Sequence, residues 1–268
     1  MRVGCGGGWL NLTLVADGGQ VRETKALKHD NLPDDARREF LLRSLQLGLL
    51  TGGLGWQPSL LAGLLGELPA PLPAGRSIFE LRGPVTVNGR TASKATPIKA
   101  GDRVSTGPGG LVIATVNSEA FLLRGDSELL VQAGRASKSL FRLVNGALLA
   151  VFGKRDEEYQ VHTPVATIGI RGTGIYAEAD PEQTYLCTCY GETRLEPLAD
   201  PGGAETLRTQ HHDAPRTLLA KPSQGRYILP AGFRDHTDLE LMTLEALVGR
   251  EVPFELPEDG YERPRRRY

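Results

Sequence analysis

From residue 77 onward, hydrophobic and polar positions alternate over short stretches, and Gly, Asn and Asp interrupt them at regular spacing. Stretches 77–81 and 84–87 flank Arg82-Gly83, and Asn88-Gly89 is a strong hairpin signal because both residues tolerate positive φ. Further strands are expected at 104–106, 111–116, 120–123, 127–131, 140–144 and 147–152. They are separated by Gly107-Pro108-Gly109-Gly110, Asn117-Ser118, Gly125-Asp126 and Asn145-Gly146. Residues 161–170 are rich in β-branched side chains, a run to Ala179 follows a Gly172-Thr173-Gly174 break, and 184–190 follows the turn Asp180-Pro181. Residues 196–208 read as loop, with weaker strands at 217–219 and 226–229. The pattern predicts an all-β domain: a sandwich, a barrel or a coiled stack of strands. At 238–248 the period changes, and leucines at helical spacing predict a terminal helix lying on that domain.

The first 75 residues follow other rules. Residues 1–35 carry no sustained pattern beyond a short strand-like run at 10–15, and read as an unstructured leader. Residues 36–43 concentrate charge and are followed by 44–54, an apolar, glycine-interrupted segment without charge. This resembles a twin-arginine export signal, with Arg37 and Arg38 as the pair and Phe40-Leu41 as the apolar step after it. Gln57-Pro58 breaks the apolar run, leaving it marginal for a membrane span, so cleavage and retention as an inner-membrane anchor both stay open. Residues 69–75 are a proline-rich stiff linker. The expected location is the periplasm, or the inner membrane facing it. Residues 251–268, ending in four arginines among six residues, read as a disordered tail.

Composition narrows the function. The chain's 268 residues leave room for one large domain or two small ones, and 33 glycines with 18 prolines favour a turn-rich β architecture. A net charge of −1 argues against a nucleic-acid partner. No nucleophile elbow precedes His162, His211, His212 or His236, so catalysis has no support.

The chemically distinctive residues are Cys187 and Cys189. On a strand, residues two apart share a face with Cα atoms about 6.6 Å apart. That lies near the upper limit of roughly 6.8 Å for a disulfide, so a bridge would be strained and redox-labile, whereas two thiolates converging on a metal need no closure. His211-His212 follows about twenty residues on, and a Cys2His2 set suits zinc or copper. Adjacent histidines on a strand face opposite ways, so both reach one metal only from a turn, which Asp213-Ala214-Pro215 favours; otherwise His162 or water completes the set. The bland alternative is a half-buried thiol pair beside a surface loop. Export in the folded state would let such a protein take on its metal in the cytoplasm. Arg171-Gly172-Thr173 reads as a structural turn rather than an anion site, and Asp102 and Asp126 as turn formers.

One ordered set of blocks points to a family. Gly101-Asp102 to Thr106-Gly107, Thr163-Pro164-Val165-Ala166 and Arg171-Gly172-Thr173 together resemble the FecR domain over residues 77–195. The resemblance implies a β-solenoid-like domain of the cell envelope, whose best-known members sense an outer-membrane receptor and signal to a sigma factor. The chain departs from that plan, because 35 residues are too few for a helical sigma-binding domain and 196–268 leave little room for a receptor-contacting one. Three readings follow. One is an exported, non-enzymatic scaffold or sensing domain whose partner is an envelope protein or wall component. The second is a metal- or redox-active envelope protein using Cys187 and Cys189 with His211 and His212. The third is a truncated transmembrane sigma regulator.

Overall fold

The computed structural model describes residues 68–132, 139–154 and 157–255, all within the second of two units, Pro58–Tyr268. The leader, the twin-arginine segment with Arg37, Arg38, Phe40 and Leu41, and residues 256–268 of the tail lie outside the described residues. Among the described residues the fold is all-β with one α-helix.

The strands are β1 (Ile78–Arg82), β2 (Val85–Val87), β3 (Arg90–Thr91), β4 (Arg103–Thr106), β5 (Leu111–Val116), β6 (Glu119–Leu123) and β7 (Glu128–Val131). They continue as β8 (Ser139–Val151), β9 (Tyr159–His162), β10 (Ala166–Ala179), β11 (Gln183–Pro197), β12 (Glu205–Thr209), β13 (Arg216–Ser223) and β14 (Arg226–Pro230). Helix α1 (Asp238–Leu247) follows. One open sheet runs β14-β13-β11-β10-β9-β8-β7-β4-β2-β3, with β1-β5-β6 joining at β8 and β12 at β11.

The expected solenoid-like stack is not what forms. A coil of strands needs parallel pairing between layers, yet among the described residues the only parallel pair is β8–β9. The turns explain this. Asn88 and Asn117 adopt positive φ of 52° and 56°, which closes tight reversals and sends the chain back antiparallel, whereas Asp126, at φ 55°, passes the chain from β6 on to β7 in the same direction along β8. Two expected breaks also turn out to be bends in long strands. Gly146, at φ +90°, kinks β8 so that its first part pairs with β7 and its second with β6 and β10. At Arg171-Gly172-Thr173 the chain does not turn: these residues form a bulge within β10, where Thr173 accepts from the Arg171 amide and donates to the Glu192 carbonyl. The real reversal lies at Thr163–Ala166, closed by paired hydrogen bonds between those two residues. The expected loop at 196–208 holds the end of β11 and most of β12.

Alternation places the core on both faces of the sheet. Val104, Leu123, Leu129, Phe141, Leu148, Ile168, Ile175 and Leu186 fill the inner side. Residues of opposite parity, Leu122, Leu149, Val151, Tyr176, Tyr185, Cys187 and Cys189, pack with Leu241 and Leu244 of α1 into an outer core. All five residues of β6 are therefore buried. Thr237 caps α1 by accepting from the Glu240 amide, while the Glu240 carboxylate accepts from the Thr237 amide. Gly249, at φ +71°, ends it. The linker meets this end of the fold, with the Leu72 amide donating to the Leu247 carbonyl. The start of the expected disordered tail is packed as well: Val252 and Phe254 lie against the outer core. No described helix is long and apolar enough to cross a membrane.

Candidate metal centre

Cys187 and Cys189 sit two apart on β11 and face α1, as strand alternation requires. A bulge follows at once: Gly174 pairs with Tyr190 and Ile175 with Thr188, leaving Cys189 as the extra residue. The bulge puts Cys189 and Tyr190 into the same outer core. Beyond β12, the Asp213 carboxylate accepts from the Gln210 and His211 amides and shapes a turn. His212 lies in that turn at φ +54°, and its amide donates to the Cys189 carbonyl. A non-glycine residue held in the left-handed region is a strain that tertiary contacts must support.

The fourth member comes from the far end of the chain. His236 immediately precedes the Thr237 cap of α1, and its ring stacks on Tyr176 at 4.6 Å between centroids. One donor atom from each of Cys187, Cys189, His212 and His236 lies within 4.8 Å of the others, and all four residues are buried. Cys187 Sγ is 3.4 Å from His212 Nδ1, Cys189 Sγ is 3.2 Å from His236 Nε2, and the two facing ring nitrogens are 3.0 Å apart.

The outer nitrogens of both imidazoles are committed elsewhere. His236 Nδ1 lies 2.8 Å from the Arg234 carbonyl, which only accepts, so this nitrogen carries the proton. His212 Nε2 lies 2.9 Å from Asp238 Oδ1 and donates to it. Asp238 is buried in the first turn of α1; although burial opposes its charge, the hydrogen bonds of His211 and His212 hold it well below the usual carboxylate range. Two ring nitrogens and two sulfurs thus converge, and the centre calls for positive charge. The protein's own protons respond to it. Burial pulls His212 down, but its bonds to Asp238 and Cys187 outweigh this and hold it up at about 9. Burial pushes both thiols up, yet Cys187, bonded by Cys189, His212 and His236, ends well below its ordinary value. Cys189, buried beside the Cys187 charge, ends well above.

The expected ligand set is thus regrouped. Cys187, Cys189 and His212 come together, and both cysteines are free thiols. His211 is not one of the four: its Nε2 donates to Asp238 at 2.8 Å, beside His212, and its ring stacks on Phe254 at 4.3 Å. His162 stands in β9 against Thr167, remote from the cysteines in the sheet. His236 carried no spacing signal; the one clue was a histidine directly before a Thr-x-x-Glu helix start. Asp102 accepts from Asn88 Nδ2 and the Lys99 amide, and Asp126 holds a left-handed turn, which are structural roles.

Residues 102–192 match the family model described as FecR protein. No curated protein sequence matches the chain. Two crystal structures of a candidate anti-sigma factor from Parabacteroides distasonis ATCC 8503, at 1.65 Å and 2.50 Å resolution, are similar in fold at 13% identity and a TM-score of 0.41. Each alignment covers 48% of this chain and 58% of the other, so the chain spans less than two thirds of that protein's length.

Proposed function

We propose that this chain is an exported, non-enzymatic FecR-type domain of the cell envelope that senses or scaffolds an envelope protein or wall component. The observation that carries the reading is the family match over residues 102–192, which runs from the start of β4 into β11 and takes in most of the inner core. The Arg37-Arg38 segment supports export. Binding suits the domain better than catalysis: among the described histidines, three are tied to the cysteines or Asp238, and the fourth to Thr167. The tests are fractionation and transcription in the native host. The full chain is expected in the periplasmic or inner-membrane fraction, and Arg37→Lys with Arg38→Lys should hold it in the cytoplasm. Deleting the domain should change transcription of a defined gene set or the assembly of an envelope complex. Cytoplasmic retention of the unaltered chain, or a deletion silent in both respects, would contradict the proposal.

A further inference from the structure

We propose that Cys187, Cys189, His212 and His236 form a closed zinc site that fastens the start of helix α1 to the outer face of the sheet, with Asp238 orienting His212. The site is independent of where the protein resides or what it senses.

Geometry carries the inference. With Zn–S near 2.3 Å and Zn–N near 2.0–2.1 Å, a tetrahedral centre sets its ligands about 3.3 Å (N to N) and about 3.6 Å (S to N) apart. The cluster shows 3.0 Å between nitrogens, and 3.4 Å and 3.2 Å from sulfur to nitrogen. Each imidazole turns one nitrogen inward while its other nitrogen donates outward, to the Arg234 carbonyl or to Asp238, and a metal would displace any proton on the inward nitrogen. A histidine ligand held by a carboxylate is the usual outer arrangement of a zinc site, fixing tautomer and ring plane. Two thiolates would neutralise a dication, which a buried pocket of this kind requires.

The donor set selects the metal and the role. Two sulfurs with two imidazoles in a compact four-point arrangement suit zinc, whereas oxygen-ligated magnesium or calcium has no place there. Four protein ligands leave no open position for a substrate, so the site is structural. Its effect follows from where the ligands sit. Cys187, Cys189 and His212 belong to β11 and the turn it holds, while His236 belongs to the segment that leads into α1. The metal therefore ties the C-terminal segment across Tyr176 and closes α1 over Leu122 and Leu149.

The test uses the full chain purified without chelators. Elemental analysis is expected to find one zinc per chain, and the Cys187 and Cys189 thiols should resist a thiol reagent until a strong chelator is added. Cobalt exchanged into the site should give a thiolate charge-transfer band and tetrahedral ligand-field bands, a readout that needs no mutant to fold. His236→Ala should lose the metal. His211→Ala should keep it, which separates this ligand set from the adjacent-histidine one. Asp238→Asn should bind zinc about 10- to 100-fold more weakly, yet fill to one at saturating zinc. The assignment is overturned by metal-free protein whose cobalt form lacks the tetrahedral thiolate spectrum, by stoichiometric copper in place of zinc, or by metal that survives His236→Ala and disappears in His211→Ala.

Discussion

Leu244 offers a quantitative check on the outer core. It is fully buried in α1 and shares its cluster with Leu122, Leu149 and Tyr176 from three strands, whereas Leu239 on the same helix is 53% exposed. Transferring a leucine side chain out of water contributes about 1.5–3 kcal/mol, and the cavity left by truncation raises the usual cost of Leu→Ala to about 2.7–5 kcal/mol. Leu244→Ala should therefore cost about 3 kcal/mol if α1 unfolds together with the sheet, which for an ordered region of this size lowers Tm by roughly 6–12 °C. If α1 undocks first, global melting changes less, and amide hydrogen exchange in 238–247 rises while β8 and β10 stay protected. Leu239→Ala should stay within about 0.5 kcal/mol of the unaltered chain. Thermal melting and hydrogen exchange on the three proteins decide the matter. Equal effects from the two substitutions, or no effect from Leu244→Ala in either measurement, would refute the two-core packing.

Three further outcomes are expected. Gly146→Ala should be destabilising by roughly 1–3 kcal/mol, because the residue sits at φ +90° and an added Cβ would lie 2.0 Å from Ser127 Oγ; an unchanged urea midpoint would show that β8 is not bent as described. Asp102→Ala should cost about 3–6 kcal/mol, since it strips the buried acceptor of both Asn88 Nδ2 and the Lys99 amide, each bond to a charged group contributing roughly 1.5–3 kcal/mol; denaturant unfolding measures it, and a neutral result would contradict the network. Burial, then the charge of Arg142, lower the His162 pKa, so the folded chain takes up this proton less readily than the unfolded one. Its stability contribution is thus whole above the ordinary value of about 6.5 and falls as pH drops through it, levelling off below the folded pKa. His162→Gln should flatten that part of the stability–pH curve, and an identical slope in the variant would contradict the assignment.

Local chemistry made much of this fold readable in the sequence. Asn88-Gly89 and Asn117-Ser118 announce reversals because their backbone freedom is a local property, and both reverse the chain, whereas Gly125-Asp126 ends a strand without reversing it, β6 and β7 running in the same direction along β8. Helix α1 was equally plain, as leucine spacing and the Thr237–Glu240 box act within a few residues. What pairs with what was harder. Whether Gly146 or Gly172 ends a strand or bends it depends on the neighbours that continue the ladder, and here β7, β6 and β11 carry β8 and β10 across both kinks. The cluster was half visible. Cys187 and Cys189 share a face by strand period alone, and the turn at Asp213 brings His212 back to them. The choice between His211 and His236 is tertiary: His211 and His212 both bond Asp238 through Nε2, and only the docking of α1 carries His236 over Tyr176 to the thiols.

Native mass spectrometry of the full chain, purified without chelator or reductant, tests the metal clasp most directly. The expected mass is that of the apo chain plus one zinc less two protons, meaning that Cys187 and Cys189 both bind as thiolates, with acid releasing the metal and restoring the reduced apo mass. A metal-free chain two hydrogens lighter, with Cys187 bonded to Cys189, would contradict it.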